Sequence, residues 1–202
     1  TSEQLKRNIR KMVNALVHRG PDMGDQWIDP EAGVALGFRR LSVIDLTPTG
    51  HQPMISNNGR FIILFNGEAY NFSKLRTELE VLGHKFRGQS DTEVILEGCV
   101  AWGVEDTIAR IVGMFAFALW DRKESRLWLG RDRLGIKPLY YGQHGNLFLF
   151  GSELKALRAN SNWEPEINLN ALTSYFRFNY VPTPNSIYRK IQDDVPYKQN
   201  DV

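Results

Sequence analysis

The stretch that decides the fold runs Phe61-Ile62-Ile63-Leu64-Phe65-Asn66-Gly67-Glu68. Its first five residues are apolar and do not alternate with polar ones, a pattern typical of a strand that is covered on both faces. Asn66, Gly67 and Glu68 are poor strand formers. The sequence therefore predicts a buried strand from Phe61 to Asn66 that ends abruptly in an amide, a glycine and a carboxylate.

The end of this strand is a candidate site. Asn66 carries an amide N–H, Gly67 has an unobstructed backbone N–H, and Glu68 has a negative charge. Neighbouring N–H donors can stabilise an oxyanion and a carboxylate can hold a cationic group, so the three suit an enzyme that acts on an amino-acid amide. Asn-Gly is also a strong signal for a hairpin turn. On the dipeptide alone the turn is the simpler interpretation, and both stay open.

Two further charged residues extend the candidate site. Arg40 ends an apolar run and could clamp a carboxylate with two hydrogen bonds, or form a salt bridge with Asp45. Asp91 lies in the capping sequence Ser90–Glu93, where a helix N-terminus favours a carboxylate and already explains it. If they also bind a ligand, Arg40 would take a carboxylate, and Glu68 with Asp91 an ammonium. Together these charges describe an α-amino acid.

Composition excludes several classes of function. The chain has 202 residues, a net charge of +2 and no dense basic block, so a nucleic-acid role has no electrostatic support. The sequence contains no run of 18 apolar residues, so it predicts no membrane-spanning helix. Cys99 is the only cysteine, which fits a reducing, cytoplasmic compartment and excludes a thiolate-rich metal site. The four histidines are scattered, so we expect no metal.

Element order predicts an α+β fold. An amphipathic helix is followed by strands, two or three helices, a run of short strands with hairpin separators, and two final helices. Clustered strands with hairpin spacing favour antiparallel sheets with helices layered outside them. The predicted helices span residues 3–18, about 75–82, 90–102, 105–111, 153–158 and 168–177. The predicted strands span residues 34–44, 61–66, 114–121, 126–130, 139–141 and 147–152.

Several motifs together resemble one family, the glutaminase (class II glutamine amidotransferase) domain of glutamine-hydrolysing asparagine synthetases. The resemblance covers residues 12 to about 190. The segments that carry it are His18-Arg19-Gly20-Pro21-Asp22, Arg40–Asp45, Gly50-His51-Gln52-Pro53-Met54, Asn66-Gly67-Glu68, Ser90–Glu93, Gly113–Ala118, Gly130–Tyr141 and Gly151–Leu157. Two of them, His18–Asp22 and Gly130–Tyr141, point to the asparagine branch rather than to other amidotransferases.

The resemblance implies a four-layer N-terminal-nucleophile hydrolase sandwich, with two antiparallel sheets between helical layers. It implies hydrolysis of glutamine to glutamate and ammonia. Asn66 and Gly67 would form the oxyanion hole, and Glu68 and Asp91 would bind the α-ammonium. The α-carboxylate would lie against Arg40, with Val43 and Ile44 lining the same wall.

The chain departs from the family at its nucleophile. The family attacks with a cysteine at the mature N-terminus, whereas here Thr1 precedes a predicted helix and Cys99 falls inside another. An N-terminal threonine can serve as a nucleophile. Residues 2–13 are predicted to form a polar helix, however, which argues against this role for Thr1. We therefore expect a glutaminase domain over residues 1–178 without its first strand, inactive as it stands.

The resemblance also bears on partners and cofactors. Residues 179–202 would lead towards a synthetase domain, which would supply the sites for ATP and Mg²⁺; the chain itself would need no cofactor. We expect glutamine and that domain as partners, no nucleic acid and no membrane, and both monomer and homodimer stay open. The alternatives are a non-catalytic glutamine-binding or interaction module and the glutaminase half of another amidotransferase.

Overall fold

The computed structural model describes residues 1–40 and 50–193. Six α-helices lie in these ranges: α1 Ser2–Asn14, α2 Phe72–Val81, α3 Asp91–Trp102, α4 Val104–Arg110, α5 Leu154–Arg158 and α6 Leu169–Phe178. Nine strands accompany them: β1 Met23–Asp29, β2 Val34–Arg40, β3 Met54–Ile55, β4 Phe61–Ala69, β5 Gly113–Asp121, β6 Arg126–Arg131, β7 Tyr140–His144, β8 Leu147–Gly151 and β9 Ile191–Gln192. None of the described helices is both long enough and apolar enough to span a membrane.

All strand pairs in the described ranges are antiparallel, as predicted. The largest sheet has the order β3-β4-β5-β6, a second has the order β8-β7-β9, and β1 pairs with β2 in a hairpin. Helices α2, α3 and α4 pack on one side, where α3 contacts β4. Helices α1 and α5 pack on the other side against β2 and β8. The result is a layered α+β sandwich.

Strand β4 forms the centre of the core because both of its faces are covered. Side chains of one parity, including Phe61, Ile63 and Phe65, pack with Ile95 and Leu96 of α3. Side chains of the other parity, Ile62 and Leu64, join a cluster between the sheets whose other buried members are Leu36, Ala118 and Trp120. The unbroken apolar run thus reflects burial on both sides. It also fixes Asn66 and Glu68, which share the parity of Ile62, on the inter-sheet face.

The structure corrects the predicted end of this strand. Strand β4 does not stop at Asn66 but continues to Ala69, with Asn66 opposite Ala116 and Glu68 opposite Met114. The hairpin-turn interpretation of Asn66-Gly67 is therefore wrong. Tertiary pairing with β5 overrides the weak strand propensity of these residues.

Other differences lie at element boundaries. Helix α1 ends at Asn14 and a 3-10 turn spans Val17–Arg19, so the predicted helix over 3–18 is too long. Strand β1 was not predicted at all, because Gly24, Asp25 and Asp29 weaken its strand signal. The end of the predicted strand 34–44, including Val43 and Ile44, lies outside the described residues.

Candidate functional site

A cavity of about 720 Å³ lies where the two sheets, α1 and the start of α3 meet. It is large enough for a small polar ligand. The predicted site residues of the described ranges all line it: Arg40, Asn66, Gly67, Glu68 and Asp91. Val43 and Ile44 fall outside the described residues. The structure thus brings together residues that are spread over 52 positions of sequence, and Thr1 also lies on the wall of this cavity.

The edge of β4 that faces away from β5 is hydrogen-bonded on either side of Gly67. The backbone N–H and C=O groups of even-numbered residues point towards β5, since Arg122 N donates to Arg60 O and Tyr70 N donates to Val112 O. Odd-numbered residues face the opposite edge. There Phe65 N donates to Gln52 Oε1 at 2.6 Å, and Gln52 Nε2 donates back to Phe65 O at 3.1 Å. The buried side-chain amide of Gln52 therefore makes the two hydrogen bonds with Phe65 that the backbone of a neighbouring strand would make.

Gly67 occupies the next odd position on the same edge. One step further along, Ala69 N donates to Asp91 Oδ2 at 2.9 Å. The alternation of an antiparallel ladder therefore directs the Gly67 N–H away from β5, into the gap between Gln52 and Asp91. Both flanking residues and Gly67 itself line the cavity. The gap is a place where a ligand oxygen could accept the Gly67 N–H.

Gly67 must be glycine for a reason that sequence reasoning did not find. A Cβ on Gly67 would overlap the Met114 carbonyl oxygen and lie 2.6 Å from the Phe115 Cα. The close approach is therefore that of the neighbouring strand β5. Access of a ligand to the Gly67 N–H is a consequence of the strand edge, and the absent side chain serves the β4–β5 contact.

Asn66 supplies a second donor. Its Nδ2 atom is buried and has no hydrogen-bond partner among the described residues. A buried amide donor without an acceptor costs about 1–3 kcal/mol, so such a group is rare in a native structure unless something else uses it. Asn66 lines the cavity one residue from Gly67. The two N–H groups give this wall of the cavity the character of an oxyanion site.

Asp91 and Glu68 make the neighbouring part of the cavity negative. Asp91 is 7% exposed, accepts from Ala69 N and Thr92 N, and pairs with no cation among the described residues. Burial raises the pKa of Asp91, the backbone hydrogen bonds lower it, and the charge of Glu68 adds to the rise, so its pKa is above the usual range. A ligand ammonium would offset the desolvation of the Asp91 carboxylate and its repulsion by Glu68.

The helix start that holds Asp91 is only partly as predicted. Ser90 is the N-cap of α3, and its Oγ accepts from Glu93 N at 3.2 Å. The Glu93 carboxylate, however, accepts from Arg87 N and Gly88 N at 2.8 Å each instead of reaching back to Ser90. The capping box is therefore half formed, and Glu93 braces the preceding loop.

The end of β2, which carries Arg40, packs closely against the Gly20 backbone. A Cβ on Gly20 would lie 2.5 Å from Arg40 N, so only glycine allows this contact, and Arg39 Nε donates to Gly20 O. The adjacent His18 and Arg19 each contact Glu153 Oε1 at 3.0 Å. These contacts give the His18–Gly20 part of the motif an architectural role.

The remaining candidates lie elsewhere. Cys99 is buried in α3 and does not line the cavity; burial raises the pKa of its thiol to about 12. No group of three His, Cys, Asp or Glu side chains among the residues that the structure describes could hold a metal ion. Sequence reasoning quoted Gln52 and Lys137 within motifs but gave neither a role, although both line the cavity. Their contacts are tertiary and leave no local signal.

Comparison with known proteins adds independent findings. A family model described as "Glutamine amidotransferase domain" matches residues 1–198. The chain is similar to asparagine synthetase [glutamine-hydrolyzing] 3 of Bacillus subtilis, with 39% identity over 96% of this chain and 31% of the relative. It is also 37% identical to the putative asparagine synthetase [glutamine-hydrolyzing] 2 of Methanocaldococcus jannaschii over 93% of this chain and 39% of the relative. The chain spans about a third of the length of these relatives.

A solved structure supports the fold. The glutamine phosphoribosylpyrophosphate amidotransferase of Bacillus subtilis aligns with a TM-score of 0.54 and 24% identity, over 62% of this chain and 29% of that one. This likeness confirms the predicted fold class, an α+β N-terminal-nucleophile hydrolase sandwich.

Proposed function

Since this chain belongs to the glutamine amidotransferase domain family, we propose that its cavity is a glutamine site built for hydrolysis to glutamate and ammonia. The observation that carries the proposal is the pair of donors on one cavity wall. Asn66 Nδ2 is buried without an acceptor among the described residues, and the ladder directs the Gly67 N–H to the open edge of β4. Such a pair suits the oxygen of an amide carbonyl, and suits it better once that oxygen becomes an anion.

The charges of the cavity fit the other end of the same molecule. Arg40 at the end of β2 would bind the α-carboxylate, and Glu68 and Asp91 would share the α-ammonium. The raised pKa of Asp91 supports this assignment, because a cationic group is what that buried carboxylate lacks. We keep Val43 and Ile44 as predicted contacts of the carboxylate wall.

The acceptor of the ammonia is also a proposal. Relatives named asparagine synthetases extend well beyond the region that this chain matches. We propose that residues 1–178 act as the glutaminase domain of such a protein and that residues 179–202 lead to a synthetase domain. That domain would use ATP and Mg²⁺ to amidate aspartate, and the whole would work in the cytoplasm.

The polypeptide of residues 1–202 should bind glutamine without hydrolysing it. Its one cysteine is Cys99, which lies outside the cavity and has a thiol pKa of about 12, so it supplies no thiolate to the site at neutral pH. Thr1 lines the cavity but begins α1 as its N-cap residue. We propose that neither group is a working nucleophile in this polypeptide.

Isothermal titration calorimetry with L-glutamine tests the binding site. We expect Arg40→Gln and Glu68→Gln each to weaken binding at least about tenfold, since a charge-assisted hydrogen bond contributes about 1.5–3 kcal/mol. Arg158→Gln and Glu164→Gln remove the same charges from exposed positions and are the matched controls. Equal binding by the site variants and their controls would refute the proposed site.

An ammonia-release assay on the same samples tests the second part. We expect no turnover by residues 1–202 at pH 7.5. Turnover that disappears in Thr1→Ala would show that Thr1 is the nucleophile after all. Turnover that persists in Thr1→Ala and disappears in Cys99→Ala would contradict the assignment of Cys99 to the core. In a longer natural form of the protein, glutamine binding without ammonia release would favour a non-catalytic binding module.

A further inference from the structure

The loop between β6 and β7 brings one more cation to the cavity. Lys137 is half-buried and lines the same cavity as Asn66 and Glu68. No assigned role in the proposed hydrolysis requires it, since Arg40 already accounts for the α-carboxylate. The other loop cations differ: Arg133 is exposed and lies away from the cavity.

The loop is held so that the Lys137 backbone is fixed. The Asp132 carboxylate accepts from the backbone N–H groups of Leu134, Ile136 and Lys137 at 3.0–3.1 Å. It also accepts from Phe115 N on β5 at 3.3 Å. Burial alone would raise the pKa of Asp132, but these N–H groups hold it below the usual range. The loop is thus tied to β5 by a carboxylate that stays ionised.

Arg131 closes the same loop from the other side. Its guanidinium donates to Gly135 O at 2.6 Å and to Asp193 O at 3.1 Å. The side chains of Arg131 and Asp132 are therefore both engaged in holding the loop. Lys137 has no salt-bridge or side-chain hydrogen-bond partner among the described residues. Lys137 therefore offers the cavity a positive charge that no described side chain takes up, and an anionic ligand atom could pair with it.

Strand register indicates which part of the proposed site lies nearest to Lys137. Two residues after Lys137, Leu139 packs against Ala116 in a small buried cluster. Ala116 is the register partner of Asn66, so the two share one face of the sheet. Arg40, in contrast, reaches the cavity from β2 in the other layer. Lys137 therefore lies on the side of the proposed oxyanion donors.

We propose that Lys137 is a specificity-determining residue that contacts the side-chain end of the amino-acid ligand and favours negative charge there. This inference rests on the proposed function and deepens it. A glutamate side chain is ionised at neutral pH, whereas a glutamine side chain is neutral. Lys137 should therefore strengthen the binding of L-glutamate, the hydrolysis product, relative to L-glutamine.

The test measures both dissociation constants in three variants of the 202-residue chain by calorimetry at pH 7.5 and low salt. We expect Lys137→Gln to weaken L-glutamate binding about tenfold and to change L-glutamine binding less than twofold. Lys137→Arg keeps the charge and should keep the ratio of the two constants. Arg133→Gln removes the same charge from the same loop and should leave both constants at the wild-type values. Melting temperatures check that each variant is folded.

The outcomes separate this inference from the proposed function. If the wild-type chain binds neither amino acid, both proposals fail. If it binds L-glutamine but Lys137→Gln leaves the glutamate-to-glutamine ratio unchanged, or lowers both affinities equally, only the role of Lys137 is refuted. A shift of the ratio in Arg133→Gln as large as in Lys137→Gln would also refute it, because the effect would then come from net charge and not from contact.

Discussion

Strand β4 has a buried aspartate at each end, and the two carboxylates have opposite environments. At one end Asp121, the register partner of Phe61, accepts from Arg60 Nε at 2.9 Å and Nη2 at 2.6 Å. At the other end Asp91 accepts from Ala69 N and has no cation among the described residues. Burial raises the pKa of both, but the Arg60 guanidinium holds the pKa of Asp121 below its usual range, whereas that of Asp91 stays above it.

The difference shows how one strand can serve structure at one end and binding at the other. At the Asp121 end the carboxylate and the first backbone N–H of the strand are paired within the chain: Ser56 Oγ accepts from Phe61 N, and Asp121 also accepts from Lys123 N and Glu124 N. Around Asp91 the carboxylate lacks a cation and Asn66 Nδ2 lacks an acceptor. The cavity end therefore offers a negative charge that a ligand ammonium could meet and an N–H donor from which a ligand oxygen could accept.

The largest expected effect breaks the cavity end through its backbone. Gly67→Ala places a methyl group against the Met114 carbonyl and Phe115 Cα, which belong to the β5 backbone and cannot turn aside. We expect a loss of about 3 kcal/mol or more in the free energy of unfolding, measured by urea denaturation. The register of β4 and β5 beyond Phe65 would have to shift, so glutamine binding should be lost with it.

Gly24→Ala is the matched control, since the atoms nearest to its methyl group belong to the Arg39 side chain and not to the backbone. That side chain can rotate, so we expect a loss below about 1 kcal/mol. Similar losses in the two variants would mean that the β4–β5 approach at Gly67 is loose. The geometry of the cavity end of β4 would then depend less on packing against β5 than the distances at Gly67 indicate.

The next effect concerns the paired end. Asp121→Asn leaves the Arg60 guanidinium without its carboxylate, and we expect a loss of about 2 kcal/mol at pH 7, reduced because Arg60 is about one-third exposed. The folded-state pKa of Asp121 lies below its unfolded value, so the ionised carboxylate stabilises the protein above pH 3.8. This contribution disappears as the pH falls through the folded-state pKa. The difference between wild type and variant should therefore shrink in acid.

Chemical denaturation at pH 7 and pH 3 measures this change. Arg60→Gln should produce a similar loss at pH 7, since it breaks the same pair from the other side. A difference between wild type and Asp121→Asn that is the same at both pH values would contradict an ionic contribution from Asp121.

Local patterns account for the parts of this molecule that could be predicted from sequence. The N-cap at Ser90 and the helix that runs from there to Trp102 follow from the capping sequence at Ser90. The hairpin β5–β6 follows from two apolar runs with a charged separator. Strand β1 could not be found this way, because it gains its order from pairing with β2.

The site shows the same division between local and tertiary signals. Charge complementarity made Arg40, Glu68 and Asp91 candidates, the family resemblance gave them binding roles, and all three line one cavity. Gln52 could not be given its role, because its contact with the backbone of Phe65 spans 13 residues and depends on where β3 begins. The reason for Gly67 was also hidden, since the strand that approaches it is 47 residues away.

The smallest effect on stability is expected where the carboxylate has no cation. Asp91→Asn removes a buried charge that burial and Glu68 oppose, but its amide also replaces one of the two oxygens that accept from Ala69 N and Thr92 N. The two changes oppose each other, so we expect the free energy of unfolding at pH 7 to stay within about 1 kcal/mol of wild type. The same substitution should weaken L-glutamine binding at least about tenfold, since the ligand ammonium loses a charged partner.

The stabilities of the two aspartate variants should respond to pH in opposite directions. The folded-state pKa of Asp91 is raised, so its favourable contribution is complete below the unfolded value of 3.8 and is lost as the pH rises through the folded-state pKa. Asp91→Asn should therefore gain stability relative to wild type as the pH rises from 3 to 7, whereas Asp121→Asn should lose it. Parallel slopes for the two variants would show that both aspartates are structural. Opposite slopes, together with lost binding only in Asp91→Asn, would mark the cavity end of β4 as the part of the strand that is kept for a ligand at the expense of stability.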